Sequence, residues 1–146
     1  MHNSITSRTT VVARYQETDR MGIVHHSVYP VWFEVGRTDL IKEYGLTYTR
    51  MEADGILLPL IALESSYKNY ALYEDKLQIQ SVISSVSNTR LSFSYEITRA
   101  DEGDKTTLIA TGKTHHIFTN AALKPMNIRK HRPDILELFL GSVKRV

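Results

Sequence analysis

Cysteine is absent from the 146-residue chain. The protein therefore has no disulfide bond, no thiolate nucleophile and no thiolate metal ligand. The absence fits a reducing cytosol, so we expect a cytoplasmic location. Long apolar runs are also missing: none reaches the roughly 20 residues of a membrane-spanning helix, and the N-terminal segment lacks the apolar core of a signal peptide. We therefore expect no membrane association.

An excess of charge of either sign is missing too. Eighteen basic and sixteen acidic side chains give a net charge of +2, whereas binding to a phosphate backbone depends on many cationic contacts. We therefore expect a small-molecule partner and no nucleic acid. The length and the 42% hydrophobic content suffice for one core, which predicts a single domain over residues 1–146.

Six histidines are the remaining candidates for transition-metal ligands, and four of them form the adjacent pairs His25–His26 and His115–His116. Adjacent residues on a strand point to opposite faces, so the second pair is poorly placed to chelate one ion. No two histidines have the four-residue spacing of a helical metal site. The sequence thus predicts no metal site.

A three- and four-residue spacing of large side chains predicts a long helix over Val28–Tyr44. Its apolar stripe contains Tyr29, Trp32, Phe33, Gly36, Leu40 and Tyr44. Ser27 is the expected N-cap and Gly45 the expected terminator. A glycine in mid-helix costs about 1 kcal/mol relative to alanine, so Gly36 predicts the close approach of a neighbouring element. We expect a sheet wrapped around this helix.

Five segments rich in β-branched and aromatic residues predict strands. They are Thr9–Tyr15, Ile56–Tyr70, Lys76–Val86, Arg90–Arg99 and Thr106–Phe118. Their short connections favour antiparallel pairing, because parallel strands need long crossovers. Thr47–Gly55 is expected to be a connector or a short helix, and Pro133–Val143 to contain a terminal helix that ends near Gly141. One long helix followed by an antiparallel sheet is an α+β arrangement.

Ionisable groups are concentrated between the first strand and the long helix. Asp19, His25 and His26 lie within eight residues of one another, just before a helix whose first N–H groups attract negative charge. Gly22 can adopt the backbone conformation of a tight turn. Such a place suits charge development on a substrate. The residues alone leave two interpretations of Asp19, a catalytic carboxylate or a side chain that caps a turn.

This stretch resembles the hotdog-fold acyl-CoA thioesterases of the 4-hydroxybenzoyl-CoA thioesterase family. The matching motif is Tyr15-x-x-Thr-Asp19-x-x-Gly22-x-Val-x-His26-x-x-Tyr29, continued by Trp32, Phe33, Glu34 and Arg37. The resemblance implies a long central helix wrapped by a five- to six-stranded antiparallel sheet, and homodimers or homotetramers with the site at a subunit interface. The His-Phe-Pro segment of the dehydratase branch is absent, which argues against dehydration.

The resemblance places the family's catalytic acid on Asp19, the polar residue before it on Tyr15, and the residue at the helix entrance on His26. Gly22 matches the turn glycine, and Arg90 suggests a contact with a coenzyme A phosphate. The implied reaction releases a carboxylic acid and free coenzyme A, with Asp19 as nucleophile or general base. Coenzyme A is then part of the substrate, and no separate cofactor is expected.

Several alternatives stay open. The substrate could be an acyl group on a carrier protein, or the chain could be a non-catalytic acyl-CoA-binding hotdog protein. His26 could polarise the thioester oxygen through its imidazole or its backbone N–H, or be an ordinary polar residue at a helix start. Tyr15 could act directly or serve strand packing. His25 receives no role, because many relatives have tyrosine or phenylalanine there.

Overall fold

The computed structural model describes residues 5–143. Five strands form one antiparallel sheet in the spatial order β1-β3-β4-β5-β2. The strands are β1 Ser7–Val12, β2 Leu60–Tyr67, β3 Lys76–Val86, β4 Arg90–Ala100 and β5 Thr106–Ile117. The helices are α1 Val28–Glu43, α2 Tyr48–Ala53, α3 Ile128–His131 and α4 Pro133–Leu140, and a short 3-10 helix spans Tyr15–Glu17. The predicted α+β arrangement is confirmed, with five strands. Residues 1–4 and 144–146 of the predicted domain lie outside the described residues.

Helix α1 lies directly on β3, and Gly36 makes this close approach possible. A β-carbon at residue 36 would collide with the Ser81 hydroxyl oxygen and lie 2.8 Å from the Ile79 Cγ2 atom. Such a separation is far below ordinary van der Waals contact. The expectation that Gly36 admits a neighbouring element is thus confirmed, and that element is strand β3 of the sheet.

The face of the sheet toward α1 carries the apolar core. Phe33 of α1 stacks on Tyr95 of β4 with ring centroids 4.6 Å apart, and Phe33, Phe93 and Ile97 are fully buried. The strands alternate, so their other face carries polar side chains such as Glu96. The core fixes α1 against the sheet and thereby fixes the position of its N-terminal end.

The first strand is shorter than predicted. It ends at Val12, and Tyr15 belongs to the 3-10 helix instead of the strand. Local hydrogen bonds explain the difference: the Arg14 N–H donates to Glu17 Oε1 at 2.8 Å, and the Thr18 hydroxyl donates to the Tyr15 carbonyl at 2.7 Å. Such bonds compete with strand pairing. The prediction that Tyr15 is presented by a strand was wrong.

The second predicted strand, Ile56–Tyr70, is also shorter in the structure, where β2 spans Leu60–Tyr67. Pro59 precedes it and has no N–H for a sheet ladder. At the other end, the N–H groups of Lys68 and Asn69 both donate to the Ile109 carbonyl, at 2.8 and 3.1 Å, so the regular ladder stops there.

The helix boundaries agree with the prediction to within a few residues. Helix α1 ends at Glu43, and Gly45 follows with a φ of +79°, as expected of a helix terminator. Thr47–Gly55 contains the short helix α2. The terminal helix α4 stops at Leu140 with Gly141 as its C-cap, as predicted. Between residues 5 and 143, no helix has both the length and the apolar character needed to cross a bilayer.

Candidate active site

Asp19 opens a tight turn in the loop between the 3-10 helix and α1. Its N–H donates to the Ile23 carbonyl at 2.8 Å, and its carbonyl accepts from the Gly22 N–H at 2.9 Å. Gly22 has a φ of +85°, a conformation that glycine adopts without strain. The turn therefore depends on Gly22, as the sequence predicted.

The Asp19 side chain does two things at once. Its Oδ1 oxygen accepts from the Met21 N–H at 2.8 Å, which is the turn-capping role considered from sequence. Its Oδ2 oxygen accepts no hydrogen bond within residues 5–143, and Asp19 lines a cavity of about 460 Å³. One oxygen thus orients the carboxylate while the other remains available to a substrate or a water molecule.

The rest of the loop is held by backbone contacts to its surroundings. The Val24 N–H donates to the Ala71 carbonyl and the His25 N–H to the Glu17 carbonyl, both at 2.8 Å. Glu17 is buried and pairs with Arg14 at 3.2 Å. These contacts keep the residues between Asp19 and α1 in one conformation.

The cavity joins the loop to the end of β2. Asp19, His26, Tyr29, Tyr67, Lys68 and Asn69 are among the residues that line it, together with apolar side chains of the loop. Mostly apolar walls with a few convergent polar groups are typical of a small-molecule site. Asp19 and His26, which the sequence placed together, do share this cavity.

His26 lies at the entrance of α1, next to the His25 ring, whose centroid is 4.1 Å away and whose plane is tilted by 31°. In the part of the chain that the structure describes, the His26 N–H has no acceptor. The Ser27 N–H and hydroxyl both contact His25 Nδ1, at 3.1 and 2.7 Å. Ser27 occupies the predicted N-cap position of α1, but its backbone angles are helical and its side chain makes no capping hydrogen bond.

Two tyrosines form a wall of the cavity. Tyr29 of α1 and Tyr67 of β2 pack edge to face with ring centroids 5.1 Å apart. Burial raises the pKa of Tyr29 to about 12, so its phenol is neutral at ordinary pH. The wall is therefore aromatic, and Tyr29 brings no charge to it.

Besides the turn residue Gly22, the predicted site residues Tyr15 and Arg90 are not among the residues that line the cavity. Tyr15 is 78% exposed and packs on Tyr73 with centroids 5.8 Å apart. Arg90 is exposed at the start of β4. Roles for these two residues stay predictions.

Tyr67, Lys68 and Asn69 were missed as cavity residues by the sequence reasoning, which treated them as part of a strand. They begin forty positions after the end of the loop, and no local pattern connects the two segments. Only strand pairing reveals the contact.

A second depression, of about 480 Å³, lies on the polar face of the sheet between Glu64, Gln80, Glu96 and Lys113. It contains no residue of the predicted motif. Within residues 5–143, no cluster of three or more His, Asp or Glu side chains could hold a metal ion. The absence of a metal in the functional protein stays a prediction.

A protein-family model described as the thioesterase-like superfamily matches residues 13–138. The chain belongs to this superfamily. YneP of Bacillus subtilis, whose name assigns it provisionally to the acyl-CoA thioesterases, is 35% identical over 128 residues, covering 88% of this chain and 91% of YneP. The acyl-CoA thioester hydrolase YbgC of Escherichia coli is 27% identical over 99 residues, which cover 68% of this chain and 74% of YbgC.

Two solved structures have the same fold as this chain. A DHNA-CoA thioesterase from Staphylococcus aureus superposes with a TM-score of 0.85 at 34% identity, covering 92% of this chain and 89% of that chain. A 4-hydroxybenzoyl-CoA thioesterase variant in complex with 4-hydroxybenzoyl-CoA gives a TM-score of 0.81 at 18% identity, with coverages of 91% and 97%. At that identity the second likeness concerns the fold alone. The predicted hotdog fold and family resemblance are confirmed.

Proposed function

We propose that the protein is an acyl-CoA thioesterase that uses Asp19 as its catalytic carboxylate and releases a carboxylic acid and free coenzyme A. The enzyme class is thioester hydrolase, on which the superfamily and the named relatives agree. The observation that supports the role of Asp19 is that its carboxylate and the entrance of α1 at His26 line one cavity.

The chemistry needs two groups. A carboxylate can attack the thioester carbonyl carbon, or it can deprotonate the water that does so, and Asp19 is suited to either role. The carbonyl oxygen becomes negatively charged in both cases, and N–H donors aimed at it lower the barrier. The His26 N–H has no competing acceptor within the described residues, so we assign it this role.

The assignments around these two groups follow from their positions. The aromatic wall of Tyr29 and Tyr67 suits the acyl group, because apolar walls exclude water from the reacting centre. Gly22 supports the site by shaping the turn. Arg90 remains our proposed contact for a coenzyme A phosphate, since a guanidinium group matches phosphate oxygens.

We further propose that two copies pair along β2, an edge strand with a single neighbour in the sheet. Leu60, Ile61 and Leu63 on this strand are 49, 45 and 41% exposed. An exposed apolar edge strand is a template for pairing with another chain, and antiparallel pairing of identical strands satisfies two-fold symmetry. Tyr67 ends the same strand, so the cavity would lie beside the interface. A homotetramer would need a second contact surface.

A panel of aliphatic and aromatic acyl-CoA esters tests the proposal, with free thiol as the readout. We expect wild type to release thiol from part of the panel and Asp19→Asn to lose at least about a hundredfold in kcat. The matched control is Asp104→Asn in the exposed β4–β5 turn, which should keep full activity.

No thiol release by wild type across the panel would refute the enzyme assignment, and an active Asp19→Asn would refute the role of Asp19. Acyl groups on a carrier protein, assayed alongside, distinguish the two partner classes. We also propose a cytosolic location, because acyl-CoA esters are intracellular metabolites.

A further inference from the structure

The peptide unit between His26 and Ser27 is held by side chains on both sides. The Tyr67 phenol donates to the His26 carbonyl at 3.1 Å, and the Ser27 N–H donates to His25 Nδ1 at 3.1 Å. One residue earlier, the His25 carbonyl accepts from the Val28 N–H at 3.0 Å. These bonds bracket His26 and fix its backbone while its own N–H remains free of acceptors in the described chain.

The bond from Tyr67 differs from the others because it is not local. It connects the end of β2 to a residue 41 positions earlier, whereas the other two bonds join residues two or three positions apart. The entrance of α1 is therefore tied to the sheet at this carbonyl.

The sequence explains why a side chain is needed there. An α-helical carbonyl accepts from the N–H four residues later. For the His26 carbonyl that residue is Pro30, which has no N–H. The Tyr67 phenol supplies the donor that the helix cannot provide.

The phenol is itself held in place. The Tyr67 ring packs edge to face on Tyr29 at 5.1 Å, and Tyr29 is buried in the core and packs on Trp32 at 5.3 Å. A phenol whose ring is packed in this way positions its hydrogen-bond partner more precisely than the phenol of a mobile side chain does.

We propose that Tyr67 is a positioning residue for thioester hydrolysis, whose phenol holds the His26 backbone so that the His26 N–H points at the developing oxyanion. This inference rests on the proposed function. The hydrogen bond from Tyr67 to His26 would stabilise the transition state and not the bound substrate, because the thioester oxygen becomes negatively charged only in the transition state.

Tyr67→Phe removes the donor and keeps the ring on Tyr29. We expect kcat to fall about tenfold while KM changes less than about twofold, since misplacement of a transition-state donor affects the rate more than ground-state binding. Tyr73→Phe is the matched control, because Tyr73 is also half-exposed and lies outside the cavity. Thermal melting of each variant confirms that it is folded.

Pro30→Ala provides a rescue that a merely structural role for Tyr67 would not predict. Alanine restores an N–H four residues after His26, which can donate to the same carbonyl. We expect the double variant Tyr67→Phe/Pro30→Ala to have a kcat at least about threefold higher than that of Tyr67→Phe alone.

The outcomes separate the two claims. An inactive wild type refutes the proposed function together with this inference. With an active wild type, the inference alone is overturned by a Tyr67→Phe enzyme within twofold of wild type, by a loss confined to KM, or by a loss of kcat that Pro30→Ala does not restore.

Discussion

His116 Nδ1 donates to the Leu58 carbonyl at 3.0 Å, and this bond fixes the tautomer of a buried ring. A carbonyl only accepts, so in the neutral ring Nδ1 carries the proton and Nε2 is an acceptor. Nε2 then accepts from the Thr114 hydroxyl at 3.0 Å, and the Tyr95 phenol donates to that hydroxyl oxygen at 2.6 Å. The side-chain polar atoms of His116, Thr114 and Tyr95 all have hydrogen-bond partners when the ring is neutral.

Acid should therefore destabilise the fold through His116. Burial is the main cause that lowers the pKa of His116 from 6.5 to about 4; the bond to the Leu58 carbonyl acts in the opposite direction, and the charges of Arg37 and His115 add to the lowering. The unfolded chain thus binds a proton between about pH 6.5 and pH 4 that the folded chain does not bind. The resulting stability is complete above pH 6.5 and is lost as the pH falls toward 4, by about 2 kcal/mol at pH 5.

Urea unfolding at pH 7.5 and pH 5 measures this difference. The comparison is made within each variant: His116→Gln should lose about 2 kcal/mol of the wild-type pH dependence, whatever its absolute stability. His131→Gln changes an exposed histidine and should keep the full dependence. An unchanged dependence in His116→Gln would show that other groups cause it.

Local patterns predicted most of the architecture. The large side chains of α1 recur with helical spacing, and the strands carry β-branched runs, so both were readable from sequence. Asp19 and His26 were readable as well, since both lie within one loop of a few residues. Gly36 predicted the contact with the sheet because a glycine in mid-helix costs free energy that only packing recovers.

The parts that could not be predicted depend on long-range contacts or on competing local bonds. Tyr67 reaches His26 only because the sheet brings β2 beside the entrance of α1, and a sequence does not display that pairing. Tyr15 followed a strand pattern, but the bond from Arg14 to Glu17 turned the chain into a 3-10 helix. Local side-chain bonds overrode the strand propensity there.

Gly22 and Gly103 allow turn strain to be separated from catalysis. Both have a positive φ, +85° and +71°, and a β-carbon at either position meets open space. Alanine at either position should cost about 1–2 kcal/mol in the free energy of unfolding. Gly22→Ala should also lower kcat/KM about tenfold, because it distorts the turn that carries Asp19. Gly103→Ala, in the β4–β5 turn, should leave kcat/KM unchanged, and equal activity losses in the two variants would contradict the special role of the Gly22 turn.

Leu63 tests the proposed pairing along β2. It is 41% exposed on the edge strand, and Leu138 of α4, at 40%, is equally exposed away from that edge. Two-fold pairing would bring two copies of Leu63 close together, so Leu63→Lys would place like charges near each other within an apolar contact, whereas Leu138→Lys would not. Light scattering coupled to gel filtration should give a dimer for wild type and Leu138→Lys and mainly monomer for Leu63→Lys. Because Tyr67 ends the same strand and holds the entrance of α1, the Leu63→Lys monomer should also have a lower kcat. A fully active monomer would show that the active site does not depend on the interface. A dimeric Leu63→Lys protein would show that the interface lies elsewhere.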